Sequence, residues 1–381
     1  MSDGSRGSTG LQVEALLAQV TDTPRIVVDR GIVARNIRRM ADRAAAAGVV
    51  LRPHTKTHKM PEIAAMQLEA GAIGLQVAKL GEAEVMAAAG FRDIMVGYPI
   101  VGPEKLERLA ALARQARMSV SLDSIEAADG ISRAVTRRGA TIRILVEIDT
   151  GLRRIGVLPS DAIGLAERVS SLPGVEFGGF LTHEGHVYTA AADMAEFERL
   201  TREACRVVVE IAEQARRRGM AVPVVSVGAS ATARFDMTVP GVTEVRPGTY
   251  VFNDLTQMEL GAAQEQDVAA CVIATVVSRP TDDRAVIDAG TKTLSSDQRI
   301  VASSQRSFGR LFGQPDVWLV RASEEHGVVG LPPGSALRVG DRVAIIPNHI
   351  CAAINLHDDV LVADGAAMVD RWRVAARGRL Q

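Results

Sequence analysis

The chain has 381 residues, a length that suits about two domains of ordinary size. Its 44 Lys and Arg residues nearly balance 45 Asp and Glu residues, so the formal charge of −1 creates no field that would attract nucleic acid or an anionic membrane. Aromatic residues make up only 3% of the chain, which argues against a surface for stacking nucleic-acid bases. The composition is typical of a soluble globular protein with an aliphatic core.

The cysteines and the apolar runs indicate where such a protein is found. Cys205, Cys271 and Cys351 are odd in number and far apart, so they do not form a disulfide framework. No apolar run approaches the ~20 residues of a membrane-spanning helix, and no apolar signal segment follows the polar start. We therefore expect a cytoplasmic protein that binds neither membrane nor nucleic acid.

The first elements precede a repeating pattern. Residues 1–10 are small and polar and predict a disordered tail, and the segment LQVEALLAQV at 11–20 predicts a helix. The apolar run that follows Thr23-Pro24 predicts a strand at 24–29.

A regular alternation of strands and helices follows. Short β-rich runs end in polar residues or glycine, and amphipathic helices separate them, for example at 61–70, 81–89, 103–116 and 193–218. This alternation predicts parallel βαβ units. Eight such runs, without a GxGxxG motif after the first, predict a (β/α)8 TIM-type barrel rather than an open doubly wound sheet. The eight predicted strands are 49–56, 73–78, 94–99, 118–123, 142–149, 177–183, 224–230 and 242–248.

The pattern changes after about residue 260. Short β-rich runs separated by turn residues, with no long helix between them, predict a mainly antiparallel β domain. The sequence therefore predicts an α/β protein with a barrel at 30–258 and a β domain at 259–381. The strand at 24–29 is expected to join the β domain, and residues 1–22 form the tail and first helix.

One candidate site lies at the end of the first barrel strand, where functional groups of such barrels are found. The segment RPHTKTHK spans residues 52–59, and strand alternation would place His54, Lys56 and His58 on one face. Crowding of Lys56 by Arg52 and the two histidines would lower the pKa of its amine and favour the neutral form that Schiff-base chemistry needs. A solvated basic loop or a phosphate-binding cation is the alternative.

A second candidate site is the segment VSVGASAT at 225–232. Its small residues expose backbone N–H groups, and the loops after strands seven and eight are the usual phosphate site of such barrels. Gly228, Ala229 and Ser230 are the candidates for a phosphate contact. Tight packing of a small-residue turn is the alternative.

A third candidate site is PNHIC at 347–351. His349 and Cys351 stand two residues apart, and on a strand they would point the same way, as two ligands of one metal must. Imidazole and thiolate suit zinc best, and other divalent ions are possible. The alternative is a packed cysteine beside a partly exposed histidine.

Four further residues have two interpretations each. Arg154 could form an ion pair at the barrel rim or contact a cofactor. His183 and His186, in the segment THEGH, could be acid–base groups or packing residues. Tyr250 could bond to a phosphate or cofactor ring, or could close the end of the barrel.

Seven segments together resemble one family over residues 23–378. The sequence is similar to the D-threonine aldolase and D-serine dehydratase family of pyridoxal-phosphate enzymes, which combine an alanine-racemase-type barrel with a β domain. The segments are TPRIVVD, RPHTKTHK, LVEIDTGLRRIGV, RPGTYVFND, SEEHGV, PNHIC with NLHD, and ARG near residue 378.

The resemblance implies a role for each candidate site. Lys56 would be the Schiff-base lysine, and Gly228, Ala229 and Ser230 would hold the phosphate of pyridoxal 5′-phosphate with Tyr250 nearby. Arg154 would also contact this cofactor.

The resemblance also implies a metal and a reaction. His349 and Cys351 would bind a divalent metal (Zn, Mn or Mg) that holds the β-hydroxyl of a β-hydroxy-D-amino acid. We expect a D-threonine aldolase that forms glycine and acetaldehyde, with His183, His186 or a metal-bound hydroxide as the hydroxyl base.

A D-serine or 3-hydroxy-D-aspartate dehydratase is the main alternative, in which Lys56 removes the Cα proton. Aldolases of this family tend to have His-x-Asp at the metal pair, whereas His-x-Cys, as here, is typical of the dehydratases. A racemase would need no metal, and a non-catalytic pyridoxal-phosphate-binding protein would need no β domain. The fold often pairs a barrel mouth with a neighbour's β domain, so a homodimer is expected.

Overall fold

A computed structural model describes residues 10–300 and 306–381. The tail predicted at 1–10 lies, except for Gly10, outside the described residues. The chain divides into two compact units. Arg39–Gly248 together with Gly378–Gln381 form the barrel unit, and the residues up to Arg38 together with Thr249–Arg377 form the β unit.

The elements alternate regularly in the first two thirds of the chain and become mostly strands afterwards. The strands are β1 (Arg25–Asp29), β2 (Val50–Leu51), β3 (Leu75–Val77), β4 (Asp93–Val96), β5 (Arg117–Leu122), β6 (Ile142–Glu147), β7 (Val175–Leu181), β8 (Val224–Val227), β9 (Glu244–Val245), β10 (Ala270–Thr281), β11 (Arg284–Ile287), β12 (Arg299–Ile300), β13 (Arg306–Ser307), β14 (Gly309–Leu311), β15 (Leu319–Ala322), β16 (Gly327–Gly330), β17 (Arg342–Pro347), β18 (Asp359–Asp364) and β19 (Ala367–Arg373). The α-helices are α1 (Val13–Gln19), α2 (Arg30–Ala46), α3 (Pro61–Glu69), α4 (Leu80–Ala88), α5 (Pro103–Leu112), α6 (Ile125–Arg137), α7 (Ala162–Ser170), α8 (Met194–Arg217), α9 (Ala233–Asp236), α10 (Leu255–Glu259), α11 (Thr291–Leu294) and α12 (Ile350–Ile354). Short 3-10 helices lie at Thr55–Thr57, Gly185–Ala190, Thr249–Val251 and Glu265–Asp267.

The barrel unit is built on eight parallel strands in the order β2-β9-β8-β7-β6-β5-β4-β3. The segments at the two ends of this order also meet, because the Ile73 amide donates to the Leu51 carbonyl (2.9 Å) and the Gln76 amide to the Pro53 carbonyl (2.8 Å). Each of the eight predicted strands is present; β5 and β7 have the predicted length with shifted ends, and the other six are shorter than predicted. The (β/α)8 prediction is confirmed.

The helices cover the sheet with one apolar face each. In α8 the fully buried side chains of Phe197, Thr201, Ala204 and Val208 recur every three or four residues, the spacing of a single helix face. The four helices predicted at 61–70, 81–89, 103–116 and 193–218 are present as α3, α4, α5 and α8.

Charged side chains lie inside the barrel unit, where they form a connected chain. Arg52 donates to Glu244 (Nε to Oε2, 2.9 Å) and to Asp93 (Nη1 to Oδ1, 2.5 Å). The other oxygen of Glu244 accepts from the Ser226 hydroxyl (2.6 Å), which in turn accepts from Arg246. Arg52, Glu244 and Arg246 are at most 5% exposed, so each charge depends on these partners instead of water.

The β unit is organised around the strand that comes first in the chain. Its largest sheet has the order β15-β16-β11-β10-β1-β18-β19, with β17 paired to β10 and β14. In β1, Val27 faces Cys271 of antiparallel β10 and Leu361 of parallel β18. The other pairs in this sheet are antiparallel, which confirms the prediction of a mainly antiparallel β domain.

The helices were compared with the length and hydropathy of a membrane span. Across residues 10–300 and 306–381, no helix is both long enough and apolar enough to cross a bilayer.

We predict that Arg52→Met lowers the free energy of unfolding by about 3–5 kcal/mol, because it leaves the buried Glu244 carboxylate without its cation. Arg138→Met is the matched control, since Arg138 pairs with Glu107 on the surface of the same unit and should change stability little. Denaturant unfolding of both variants provides the comparison. Equal effects of the two substitutions would contradict the role given to the buried pair.

Candidate active site

Lys56 lies in a 3-10 turn beyond β2, at the C-terminal end of the barrel strands. The prediction that His54, Lys56 and His58 share one strand face is wrong. The His58 amide donates to the Thr55 carbonyl (3.1 Å), and a 3-10 turn rotates successive side chains by about a third of a circle, where a strand rotates them by half. Consequently His58 is fully buried and His54 half-buried, and Lys56 is exposed.

Two histidines share the electrostatic surroundings of Lys56. Burial, followed by the positive charges of Lys56 and Arg246, holds the pKa of His54 well below its usual range. Burial also lowers the pKa of His183 to about 3, and the charges of Lys56 and Arg154 act in the same direction. Both imidazoles are therefore neutral at neutral pH, and each can accept a proton near Lys56.

The 228–232 turn follows β8 and has its first two N–H groups directed into the protein. The Gly228 amide donates to Glu184 Oε2 (3.2 Å), and the Ala229 amide donates to Thr232 Oγ1 (3.1 Å). Gly228 has φ +113°, a conformation that favours glycine. These two hydrogen bonds therefore hold the backbone of the turn on its buried side.

Ser230 connects this turn to the lysine loop through Gly248. The Ser230 hydroxyl accepts from the Gly248 amide (3.1 Å), and a Cβ added at Gly248 would lie 2.9 Å from both the His54 carbonyl and Thr57 Oγ1. Only glycine permits this approach. The structure therefore brings the first two candidate sites together within the barrel unit.

The two histidines of the THEGH segment have different surroundings. His183 follows β7 and lies within electrostatic reach of Lys56, whereas His186 belongs to the 3-10 helix Gly185–Ala190 and its ring lies close to Gly151. Within the described part of the chain, the buried Nδ1 atom of His186 has no hydrogen-bond partner. Arg154 is exposed, and its charge acts on His183 and on Glu147.

Buried charged residues are the part of this site that sequence reasoning missed. Arg246 follows β9 and is buried, and burial lowers its pKa although Glu244, Glu184 and Glu147 oppose this effect. Burial likewise raises the pKa of Glu147, at the end of β6. Charged residues at the ends of apolar runs, as in ILVEID and TEVRPG, were the available signal.

The third candidate site lies in the β unit, and its local structure differs from the prediction. Strand β17 ends at Pro347, so His349 and Cys351 are not on a strand. His349 immediately precedes α12 and Cys351 lies in its first turn, because the buried Asp254 accepts a hydrogen bond from the Ile350 amide (3.1 Å) and caps the helix.

The His349–Cys351 pair nevertheless forms, and Asp254 supports it. His349 Nδ1 lies 3.4 Å from Asp254 Oδ2, and the side chains of His349 and Cys351 hydrogen-bond to each other. The charge of Cys351, with a smaller contribution from Asp254, raises the pKa of His349 to about 11. Cys351 Sγ also lies 3.5 Å from the Thr249 hydroxyl.

This donor set fits a divalent metal ion. A carboxylate at one ring nitrogen of a histidine leaves the other nitrogen for the metal, and imidazole with thiolate is a common zinc pair. Across the described ranges, no group of three or more His, Cys, Asp and Glu side chains is assembled to hold a metal. Two protein ligands leave open positions for water or substrate.

Tyr250, in the same unit, is buried in the 3-10 helix Thr249–Val251.

Two known protein families match separate parts of the chain. Residues 28–255 match the family described as alanine racemase, N-terminal domain, and residues 269–363 match the putative serine dehydratase domain.

Individual relatives define the family more closely. The chain is 36% identical to D-threonine aldolase of Arthrobacter sp., over 95% of this chain and 94% of that protein. It is 38% identical to D-threo-3-hydroxyaspartate dehydratase of Delftia sp. (strain HT23), over 87% of this chain and 91% of that protein. The crystal structure of D-threonine aldolase from Filomicrobium marinum superimposes with a TM-score of 0.87 at 34% identity, covering 94% of this chain and 97% of that one. The chain belongs to the D-threonine aldolase and D-serine dehydratase family, whose members named here are lyases.

We predict that His183 stays neutral in NMR titration from pH 8 to about pH 4, because its pKa is about 3. Lys56→Met should raise this pKa, since it removes a positive charge, although burial keeps the pKa below its ordinary value. Lys105→Met, a substitution on α5, is the control and should leave the titration unchanged. A His183 that titrates near pH 6.5 in the unsubstituted protein would disprove the arrangement.

Proposed function

We propose that the protein is a pyridoxal-phosphate- and divalent-metal-dependent lyase that cleaves β-hydroxy-D-amino acids, converting D-threonine to glycine and acetaldehyde. One observation carries this proposal: the buried imidazole of His183, at the C-terminal end of β7 and within electrostatic reach of Lys56, is neutral at neutral pH. An aldol cleavage needs a proton acceptor for the β-hydroxyl in addition to the lysine, and His183 supplies one.

The barrel unit has suitable groups for the cofactor. Lys56 has an exposed amine that would hold the aldehyde, and the 228–232 turn has small side chains and the Ser230 hydroxyl for the phosphate. Because Gly248 has no Cβ, the 228–232 turn and the Lys56 loop can approach each other closely. We propose Arg154 and Tyr250 as further cofactor contacts, on the basis of the family resemblance.

The chemistry divides between the cofactor and the protein. Bound pyridoxal phosphate supplies an electron sink for the electrons of a bond broken at Cα. His183 takes the proton from the β-hydroxyl at its ring nitrogen, and its low pKa ensures that the ring is unprotonated when substrate arrives. His186 is the second candidate for this role, since its Nδ1 atom has no partner among the described residues.

We propose that His349 and Cys351 bind the divalent metal (Zn, Mn or Mg) that polarises the β-hydroxyl of the substrate. Asp254 would orient His349 by holding Nδ1. A metal held by these two residues would supply a Lewis acid that lowers the pKa of the β-hydroxyl, and His183 would be the acceptor of its proton.

A dehydratase that acts on D-serine or 3-hydroxy-D-aspartate is the second candidate. The observation that favours it is Cys351, because His-x-Cys resembles the dehydratases more than the aldolases of this family. The identity to the Delftia dehydratase, 38%, also slightly exceeds that to the Arthrobacter aldolase, 36%. In this reaction Lys56 would remove the Cα proton, and a metal held by His349 and Cys351 would supply the Lewis acid for the departing hydroxide.

The proposal includes a homodimer, as the family resemblance implies, and a cytoplasmic location. None of the three cysteines, which all lie in the described ranges, forms a disulfide, and this suits a reducing compartment.

We predict that the purified protein with pyridoxal phosphate and Mn²⁺ releases glycine and acetaldehyde from D-threonine. Lys56→Ala should abolish both this activity and the visible absorbance of the lysine-bound cofactor, whereas Lys105→Ala should retain both. Product analysis on D-threonine and D-serine distinguishes the two candidates. A 2-oxo acid with ammonia as the main products from either substrate would establish the dehydratase and reject the aldolase.

We also predict that a chelator removes the activity and that a divalent ion restores it. His349→Ala should lower affinity for Zn²⁺ or Mn²⁺ by at least about tenfold, because one of only two protein ligands is lost. His326→Ala is the control, since His326 is an exposed histidine of the same unit. Isothermal titration with each ion measures the affinities. Equal affinities in the two variants would exclude the His349–Cys351 site.

A further inference from the structure

Three fully buried polar side chains lie beneath the 228–232 turn, and none of them contributes to the chemistry described above. Glu184 accepts from the Gly228 amide through Oε2 (3.2 Å) and from the Thr232 hydroxyl through Oε1 (2.6 Å). The Thr232 hydroxyl oxygen accepts from the Ala229 amide (3.1 Å). Asp236 completes the group, and a Cβ added at Gly228 would lie 3.2 Å from its Oδ2 atom.

These contacts determine which backbone groups the turn offers on its outer side. Because Glu184 and Thr232 take the N–H groups of Gly228 and Ala229, these two donors are turned away from any ligand. The outer side is left with the Ser230 hydroxyl, which is anchored by the Gly248 amide, and with the peptide groups that follow it. A carboxylate and a hydroxyl therefore shape the turn from inside the protein.

Burial also affects the charge on the inner side of the turn. Burial, and next the charge of Glu184, raise the pKa of Asp236 well above its usual range, which favours the neutral carboxyl. The Cys205 thiol donates to Asp236 Oδ1 (3.3 Å), and burial keeps that thiol protonated by raising its pKa. Two ionised carboxylates at this place would repel a phosphate, which carries nearly two negative charges.

We propose that Glu184 is a positioning residue for the cofactor phosphate: Glu184 and Thr232 hold the 228–232 turn in its receiving shape. The inference rests on the proposed function, because it takes pyridoxal phosphate as the ligand. Glu184 and Thr232 do not touch the phosphate themselves. Their effect is confined to the phosphate end of the cofactor, whereas Lys56 holds the aldehyde end.

The test compares two ligands that differ only in the phosphate. The cofactor-free full-length chain and its variants are titrated with pyridoxal phosphate and, separately, with pyridoxal, and binding is followed by absorbance. Glu184→Gln and Thr232→Val should weaken binding of pyridoxal phosphate by about tenfold or more, because each removes a buried hydrogen bond that involves a charged group. Their affinity for pyridoxal should stay within about twofold of the unsubstituted chain.

The controls separate positioning from general stability. Thr201→Val is the matched control, because Thr201 is an equally buried threonine whose hydroxyl bonds only within its own helix, to the Phe197 carbonyl. It should change neither affinity. Thr232→Ser retains the hydroxyl and should restore binding. If Thr232→Val fails to fold, as circular dichroism would show, Glu184→Gln decides the test.

The possible outcomes are distinguishable. Unchanged affinity for pyridoxal phosphate in Glu184→Gln would overturn the inference, and so would equal losses for both ligands. If the unsubstituted chain binds pyridoxal and pyridoxal phosphate with equal affinity, the inference about Glu184 is wrong, but the proposed role of Lys56 is not contradicted. If the unsubstituted chain binds neither ligand, the proposed function itself is wrong.

Discussion

The structure depends on the compensation of charges that are buried in the barrel wall. An unpaired charge removed from water costs several kcal/mol, more than a typical domain can spare. Arg52 meets this requirement through Glu244 and Asp93, and Glu244 extends the chain of contacts through Ser226 to Arg246. These residues belong to or adjoin strands that are distant in sequence, so their pairing fixes those segments of the barrel unit relative to one another.

Burial and charge together determine the proton chemistry that the site can perform. Burial is the largest cause of the low pKa values of His54 and His183, and the positive charges at Lys56 and Arg246 act in the same direction. Both imidazoles are consequently neutral at neutral pH. Carboxylates in place of these cations would raise both pKa values.

The sequence predicted the fold well because the fold follows local patterns. Eight β-rich runs and the helices between them can be read directly, since apolar residues at fixed spacing form strands and helix faces wherever the chain folds. The Lys56 loop was harder. Its residues alternate as they would in a strand, but β2 ends at Leu51 and the segment turns as a 3-10 helix. Nothing local in HTKTH distinguishes the two.

The partners of the site residues were beyond sequence reasoning for a different reason. Glu184 holds Gly228, and Asp254 holds His349. Each of these pairs joins residues far apart in the chain, and a single sequence has no signal for such pairing. The motif positions Lys56, His349 and Cys351 are visible in the sequence, whereas the groups that orient them emerge only from the tertiary structure.

The central position of β1 has a consequence for biosynthesis. This strand precedes the barrel strands in the chain, yet its two neighbours in the sheet, β10 and β18, follow them. The barrel unit can complete its eight-stranded sheet while β1 is still unpaired. During synthesis this apolar strand therefore has both edges unpaired until β10 and β18 have been made. Unpaired strand edges promote aggregation, which chaperones counteract.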